Sequence, residues 1–238
     1  MVHAGGEPAA GEDGPLTAYY AVASEPLARP ARRRALPTGV VDRVASFGAM
    51  VPEAELVPTE HGLVPKGEGW FVLNATETQW WERAGRGVLC EFEGAGFEGA
   101  LDFHQLGVNL TRLSPGEPMS MYHWEADQEA FLVLAGEALL IVEGEERTLA
   151  EWDFVHCPPG TKHTILGAGD APCVVLAVGA RGRSTGDDWG AYTVDEAALR
   201  RGAGVEQETT LPKEAYARFP GGTLTRYRDG WLIGQPPP

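Results

Sequence analysis

The chain has 238 residues, with 34 acidic against 19 basic side chains and a formal charge of −15. That balance excludes a nucleic-acid binder, because affinity for a phosphate backbone needs a basic surface and this field repels a polyanion. With 31 glycines, 18 prolines and 43% hydrophobic residues, the chain can bury a core, but one cut by many turns.

Residues 1–18 are small, Gly/Pro-rich and acidic, and read as a disordered tail. An N-terminal arm follows over 19–59. It carries a basic run, Arg29-Pro-Ala-Arg-Arg-Arg34, that suits either a solvated stretch pairing with the acidic body or a docking or anion site. From residue 60 the pattern turns to strands. Trp70-Phe-Val-Leu73, Gly87 to Phe92 and Val108 to Leu113 are short β-rich runs separated by Gly, Asn, Ser and Pro. Further runs follow at Phe131 to Leu134, Glu137 to Val142, Arg147 to Leu149, Asp153 to Cys157 and Cys173 to Val178. Turn signals lie between them at Gly136, Glu143-Gly-Glu-Glu146, Pro158-Pro-Gly160 and Gly167 to Asp170. Regular short strands with frequent turns predict an all-β antiparallel barrel or sandwich over 60–185. A helix is expected over Val194 to Arg201, with Asp195 and Glu196 in its first turn and Gly202 as its stop. A second helical piece over Pro212 to Arg218 completes a C-terminal extension, 186–238, that packs on the barrel.

No apolar run approaches the roughly 20 residues needed to span a bilayer, and no basic segment followed by an apolar one marks the N-terminus. Cys90, Cys157 and Cys173 are an odd count with no CxxC spacing, which reads as free thiols in a reducing cytoplasm. A cytoplasmic protein with no membrane or nucleic-acid partner is the expectation.

Two segments place ligand-type side chains at strand ends. In Gly116-Glu-Pro-Met-Ser-Met-Tyr-His123-Trp-Glu125-Ala-Asp-Gln-Glu129, His123 and Glu125 are two apart, so an extended backbone turns both to one face. Glu129 leads the apolar strand Phe131 to Leu134, where a carboxylate is costly to bury without a partner cation. The second segment, Pro158-Pro-Gly160-Thr-Lys-His163, is a rigid turn that presents one imidazole. His104 and His156 stand outside both. His156 alternates with Val155 and Cys157 and reads as a structural histidine, while Tyr122, Trp124 and Trp152 read as packing residues.

The two segments together resemble the paired motifs of the cupin superfamily, G-x(5)-H-x-H-x(3,4)-E-x(6)-G and G-x(5)-P-x-G-x(2)-H-x(3)-N. Six residues separate Glu129 from Gly136, three separate Glu125 from Glu129, and Pro158-x-Gly160-x(2)-His163 matches the second motif without a gap. The resemblance covers residues 107–181. It departs from the pattern where the second His of H-x-H is Glu125, where six residues follow Gly116, and where Gly167 stands at the trailing Asn. An alternative register puts Met121 and His123 at the two His positions and leaves a five-residue spacer before Glu129.

The resemblance implies a cupin-type jelly-roll β-barrel, with added N-terminal strands and a short helical C-terminal segment, that pairs as a homodimer. It implies His123, Glu125, Glu129 and His163 around one divalent transition metal. Hard carboxylate oxygens favour Fe(II) or Mn(II), with Zn or Ni possible. Glu125 is open to two roles, a fourth ligand or a general base beside an open coordination position. The implied activity is that of a metal enzyme acting on a small-molecule substrate, as a dioxygenase, a decarboxylase or lyase, or an isomerase. A non-catalytic cupin that binds or senses a small ligand is the competing expectation.

Overall fold

The structure is a computed structural model, and it describes residues 50–92, 105–181 and 189–232. The basic run Arg29 to Arg34, the 1–18 tail and His104 lie outside the described residues. Two antiparallel sheets dominate. Among the described residues, one has seven strands. It contains β3 (Gln79–Glu82), β4 (Val88–Glu91), β5 (Leu106–Leu113), β7 (Glu129–Ala135), β10 (Phe154–Cys157), β12 (Cys173–Ala180) and β14 (Thr223–Arg226), in the order β10-β7-β12-β5-β4-β3-β14. The other has five: β6 (His123–Glu125), β8 (Ala138–Val142), β9 (Glu145–Leu149), β11 (His163–Gly167) and β13 (Gly190–Tyr192), in the order β13-β6-β11-β8-β9. A separate hairpin joins β1 (Glu55–Pro58) to β2 (Leu63–Lys66). Two short helices, α1 (Glu196–Arg200) and α2 (Pro212–Ala215), are the α-helices among the described residues, and none of these is long and apolar enough to cross a membrane.

The strands follow from alternation. In β7, Phe131, Val133 and Ala135 are buried while their neighbours are partly exposed, the period of two that a half-covered sheet imposes. Their partners across the core come from both sheets: Leu113, Val175 and Ala177 on one side, Leu140, Leu149 and Ile165 on the other. The sheets are thus pressed face to face over one apolar core, which is the jelly-roll arrangement expected from the sequence. The turn from β8 to β9 has two residues, Glu143 (φ 48°) and Gly144 (φ 81°), both left-handed as a type I′ hairpin requires.

The run Trp70 to Leu73 is a correction: it is not a strand. Trp70 forms an isolated bridge to Glu53, and Trp70 and Val72 are 51% and 78% exposed. Among the described residues the run's bridge pairing is confined to Trp70, which donates to the Pro52 carbonyl and accepts from the Ala54 N–H, and a single bridge does not make a ladder. The helix of the C-terminal segment is present, capped by the Asp195 carboxylate, which accepts from the Ala198 N–H at 2.8 Å. What the sequence does not reveal is that the same segment also supplies strands: β13 extends the small sheet beside β6, and β14 extends the large one beside β3. All three cysteines are buried and free. Burial pushes the Cys90 and Cys157 thiols up to about 12 and that of Cys173 to about 11, which keeps them unreactive.

The docking of β13 depends on Gly190, whose φ is 154° and whose added Cβ would stand 2.0 Å from the Trp124 carbonyl oxygen. Gly190→Ala should therefore destabilise the protein by more than about 1 kcal/mol, read as a lowered midpoint in urea denaturation.

Candidate metal centre

His123 opens β6 and His163 opens β11, and the register of these antiparallel strands sets the two residues directly opposite each other. Their rings lie 5.0 Å apart between centroids. Glu129 comes from the first position of β7 on the other sheet, where Cys157 of β10 pairs with it on one side and Gly179 of β12 on the other. Ligand atoms of His123, Glu129 and His163 all lie within 4.8 Å of one another. His163 Nε2 is 3.3 Å and His123 Nε2 4.0 Å from Glu129 Oε2.

The tautomers are fixed by the backbone. Each ring donates its Nδ1–H to the carbonyl two residues earlier, His123 to Met121 at 2.8 Å and His163 to Thr161 at 3.0 Å. A carbonyl can only accept, so each Nδ1 carries the proton and each neutral ring is left with its Nε2 lone pair turned to the cluster. His163 Nε2 is buried and makes no hydrogen bond. Two lone pairs and a carboxylate facing one another form an arrangement that a proton or a cation stabilises, and a carbonyl behind each ring is the usual support of a metal-ligating histidine. The residues present fit a divalent ion in a two-histidine, one-carboxylate set.

The protonation of these groups reflects the same crowding. Burial raises the Glu129 carboxyl well above the ordinary carboxylate range, against the opposing pull of His123. Burial, and then repulsion from His123, push His163 down to about 4. Burial also acts to lower His123, but the carboxylates of Glu125 and Glu129 outweigh it and its net shift is upward.

Glu125, the fourth residue expected from the sequence, stands beside this group rather than within it. Its Oε1 is 3.5 Å from His123 Nε2, and its side chain is 23% exposed against 14% for Glu129. It lines a cavity of about 280 Å³ together with Glu129, Glu91, Asn109, Arg181 and Trp189. A larger cavity, about 720 Å³, lies at Met121, 204–209, 214–215 and 217–218 and includes none of the four. Sequence reading missed Glu91, Asn109, Trp189 and Tyr192. The ring of Tyr192 is 5.7 Å from that of His123, and Trp189 is at 6.3 Å. Their signal was absent because they come from β4, β5 and the C-terminal segment, far from the motif in sequence. Tyr122 packs as expected, buried with its hydroxyl accepting from the Gly144 N–H. His156 is exposed on β10, and Trp152, in the turn before that strand, is 66% exposed, so neither is a buried packing residue. Alternation along β10 turns Val155 and Cys157 to the core, which leaves Phe154 and His156 on the opposite face.

A family model described as the cupin domain matches residues 109–179. The chain contains a cupin domain. Solved structures similar to it include a protein of Acidithiobacillus ferrooxidans provisionally assigned as a sugar phosphate isomerase, with 27% identity over 41% of this chain and 62% of that one and a TM-score of 0.35. The DMSP lyase DddQ of Ruegeria pomeroyi is similar at 25% identity over 42% of this chain and 50% of that one, with a TM-score of 0.36. A cupin 2 conserved barrel domain protein of Salinispora arenicola shares 21% identity over 38% of this chain and 72% of its own, with a TM-score of 0.33. This chain thus spans less than two thirds of the first two relatives, and likenesses this partial assign no activity to it. No curated protein sequence matches the chain.

Because protons compete with the metal for the Glu129 carboxylate and for His123 Nε2, whereas His163 is held down to about 4, uptake by chelator-stripped protein should weaken as pH falls between about 8 and 5. The raised Glu129 and His123 hold protons above their ordinary range, so the weakening should start at higher pH than for an exposed two-histidine site. Competition titration against a coloured chelator across that range measures it.

Proposed function

We infer that this protein is a mononuclear metal-dependent enzyme acting on a small polar organic molecule inside the barrel. The observation that carries the reading is the convergence of two tautomer-locked histidines and a buried glutamate from opposite sheets. His123, Glu129 and His163 would hold the ion, Fe(II) or Mn(II) being favoured by the nitrogen and hard-oxygen set. A bound ion would supply Lewis acidity or, for a redox metal, oxygen activation. The chain supplies the rest. His123 and His163 are buried, and the cavity at Asn109 and Trp189 receives the substrate beside Glu125. Glu125 takes or returns a proton at its Oε1 atom, which is within reach of both the cluster and the cavity. Dioxygenase, lyase and isomerase chemistry all suit such a site.

A second reading, a cupin that binds or senses a ligand without turnover, draws on the replacement of the second motif histidine by Glu125. Metal analysis separates them. Protein purified without chelator should hold about one transition ion per chain, and His163→Ala should lose it. Metal retained in that variant would overturn the assignment. Glu125→Gln is expected to keep the metal and to lower turnover of an accepted substrate by about a hundredfold or more if Glu125 is the base. Loss of the ion along with activity would make Glu125 a ligand instead.

A further inference from the structure

A second cavity, also about 280 Å³, lies between the β3–β4 turn and residues 216–222. Arg83 and Arg86, both from that turn, line it with Trp81, Tyr216 and Phe219. Glu91 borders this cavity and the one at Glu125 and Glu129, so the two spaces share a wall. A second link runs through aromatic rings. The Arg86 guanidinium carbon is 3.9 Å from the Tyr216 ring centre, Tyr216 is 5.5 Å from Tyr192, and Tyr192 is 5.7 Å from His123.

Both guanidinium groups are underused. Arg83 Nη2 donates to the Arg86 carbonyl and Arg86 Nη2 to that of Met119, each at 3.1 Å. A guanidinium has five N–H donors, yet among the described residues neither side chain makes another hydrogen bond or an ion pair. Arg83 Nε, Arg86 Nε and the indole Nε1 of Trp81 are all buried without an acceptor. Three orphaned donors thus belong to side chains that line one cavity, and no orphaned acceptor belongs to its lining. Buried donors are nearly always paired, so this wall lacks an acceptor that carries several oxygens. Burial, and then the charge of Arg86, push Arg83 down to about 10 against the opposing pull of Tyr216, Glu91 and Glu117. Glu91 is the only acid on the wall among the described residues, and it stands beyond ion-pair distance of both arginines. In a chain with a net charge of −15, this is a cationic interior.

We propose that Trp81, Arg83 and Arg86 form an oxyanion site that holds the carboxylate or phosphate of the small molecule whose other end reaches His123, Glu129 and His163. Planar guanidinium groups match either oxyanion with paired hydrogen bonds, and the Tyr216 ring fixes the plane of Arg86. The substrate class is accordingly a small organic acid or a phosphate ester. That assignment of the anion to a substrate rests on the enzyme reading above, whereas binding of the anion does not.

Full-length protein, chelator-stripped and metal-loaded, is titrated with inorganic phosphate and with succinate by calorimetry and thermal shift, with chloride at matched ionic strength as the control. At least one of the two anions is expected to bind saturably where chloride does not. Phosphate preferred marks a phosphate ester, and succinate preferred an organic acid. Arg83→Gln and Arg86→Gln should each weaken binding about tenfold or more with metal content unchanged. Trp81→Phe, which keeps the ring and removes only the orphaned N–H, should weaken it severalfold and decides the matter if an arginine variant fails to fold. Absence of binding by both anions, or binding that none of these variants weakens, overturns the proposal. His163→Ala distinguishes the two readings: it should lose metal and keep anion binding, so failure of the metal assignment leaves the anion result standing, and the reverse.

Discussion

Two histidines whose lone pairs are aimed at one carboxylate form the constraint around which this protein is arranged. Neither ring is free to turn away, because each is tied through Nδ1 to a carbonyl of its own strand approach. The direct pairing of His123 with His163 makes the distance between the rings a property of β-sheet register, not of loop conformation. Glu129 then has to arrive from the opposite sheet, and the apolar faces that press the sheets together bring it there. The core and the site are in this sense one object: Phe131, two residues after Glu129, packs its ring 5.2 Å from that of His163.

Charge is distributed in two layers. The exterior is acidic, with ion pairs such as Arg201 to Glu146 and Arg228 to Glu82 confined to exposed positions, where they add little to stability. The interior reverses this. Acidic groups sit where a cation fits, and guanidinium groups sit where none of the described carboxylates reaches them. A molecule that carries an oxyanion at one end and a metal-binding function at the other would meet complementary charge at both ends, which gives orientation as well as affinity.

The sequence makes parts of this legible and hides others for physical reasons. Glu129, Gly136, Pro158, Gly160 and His163 are readable because turns and ligands need particular residue types at fixed spacing. Strands β7, β8 and β12 are readable because their alternation or apolar density is unbroken. Strand β6 is three residues long and β13 likewise, too short to show any period, although together they hold His123 in place. Trp70 to Leu73 has the composition of a strand, yet among the described residues it forms an isolated bridge at Trp70, and no local pattern reports how far a neighbour will run alongside. Arg83 and Arg86 sit in a Gly-containing turn, where charged side chains are normally solvated. Their burial is imposed by Tyr216 and Phe219, more than a hundred residues later. Glu125 is readable as a candidate by its two-residue spacing from His123, but its position at the cavity edge comes from the sheet geometry.

The three residues of β13 have one more consequence. They lie beyond residue 179, where the match to the cupin domain ends, yet Tyr192 pairs with His123 and Gly190 with Glu125. A fragment trimmed to the matched domain would leave β6 as a bare edge with unpaired N–H and C=O groups beside the histidine. Such an edge invites another chain to pair with it. The C-terminal segment thus covers that edge as well as completing the sheet, and the matched domain is smaller than the sheet that holds its histidine.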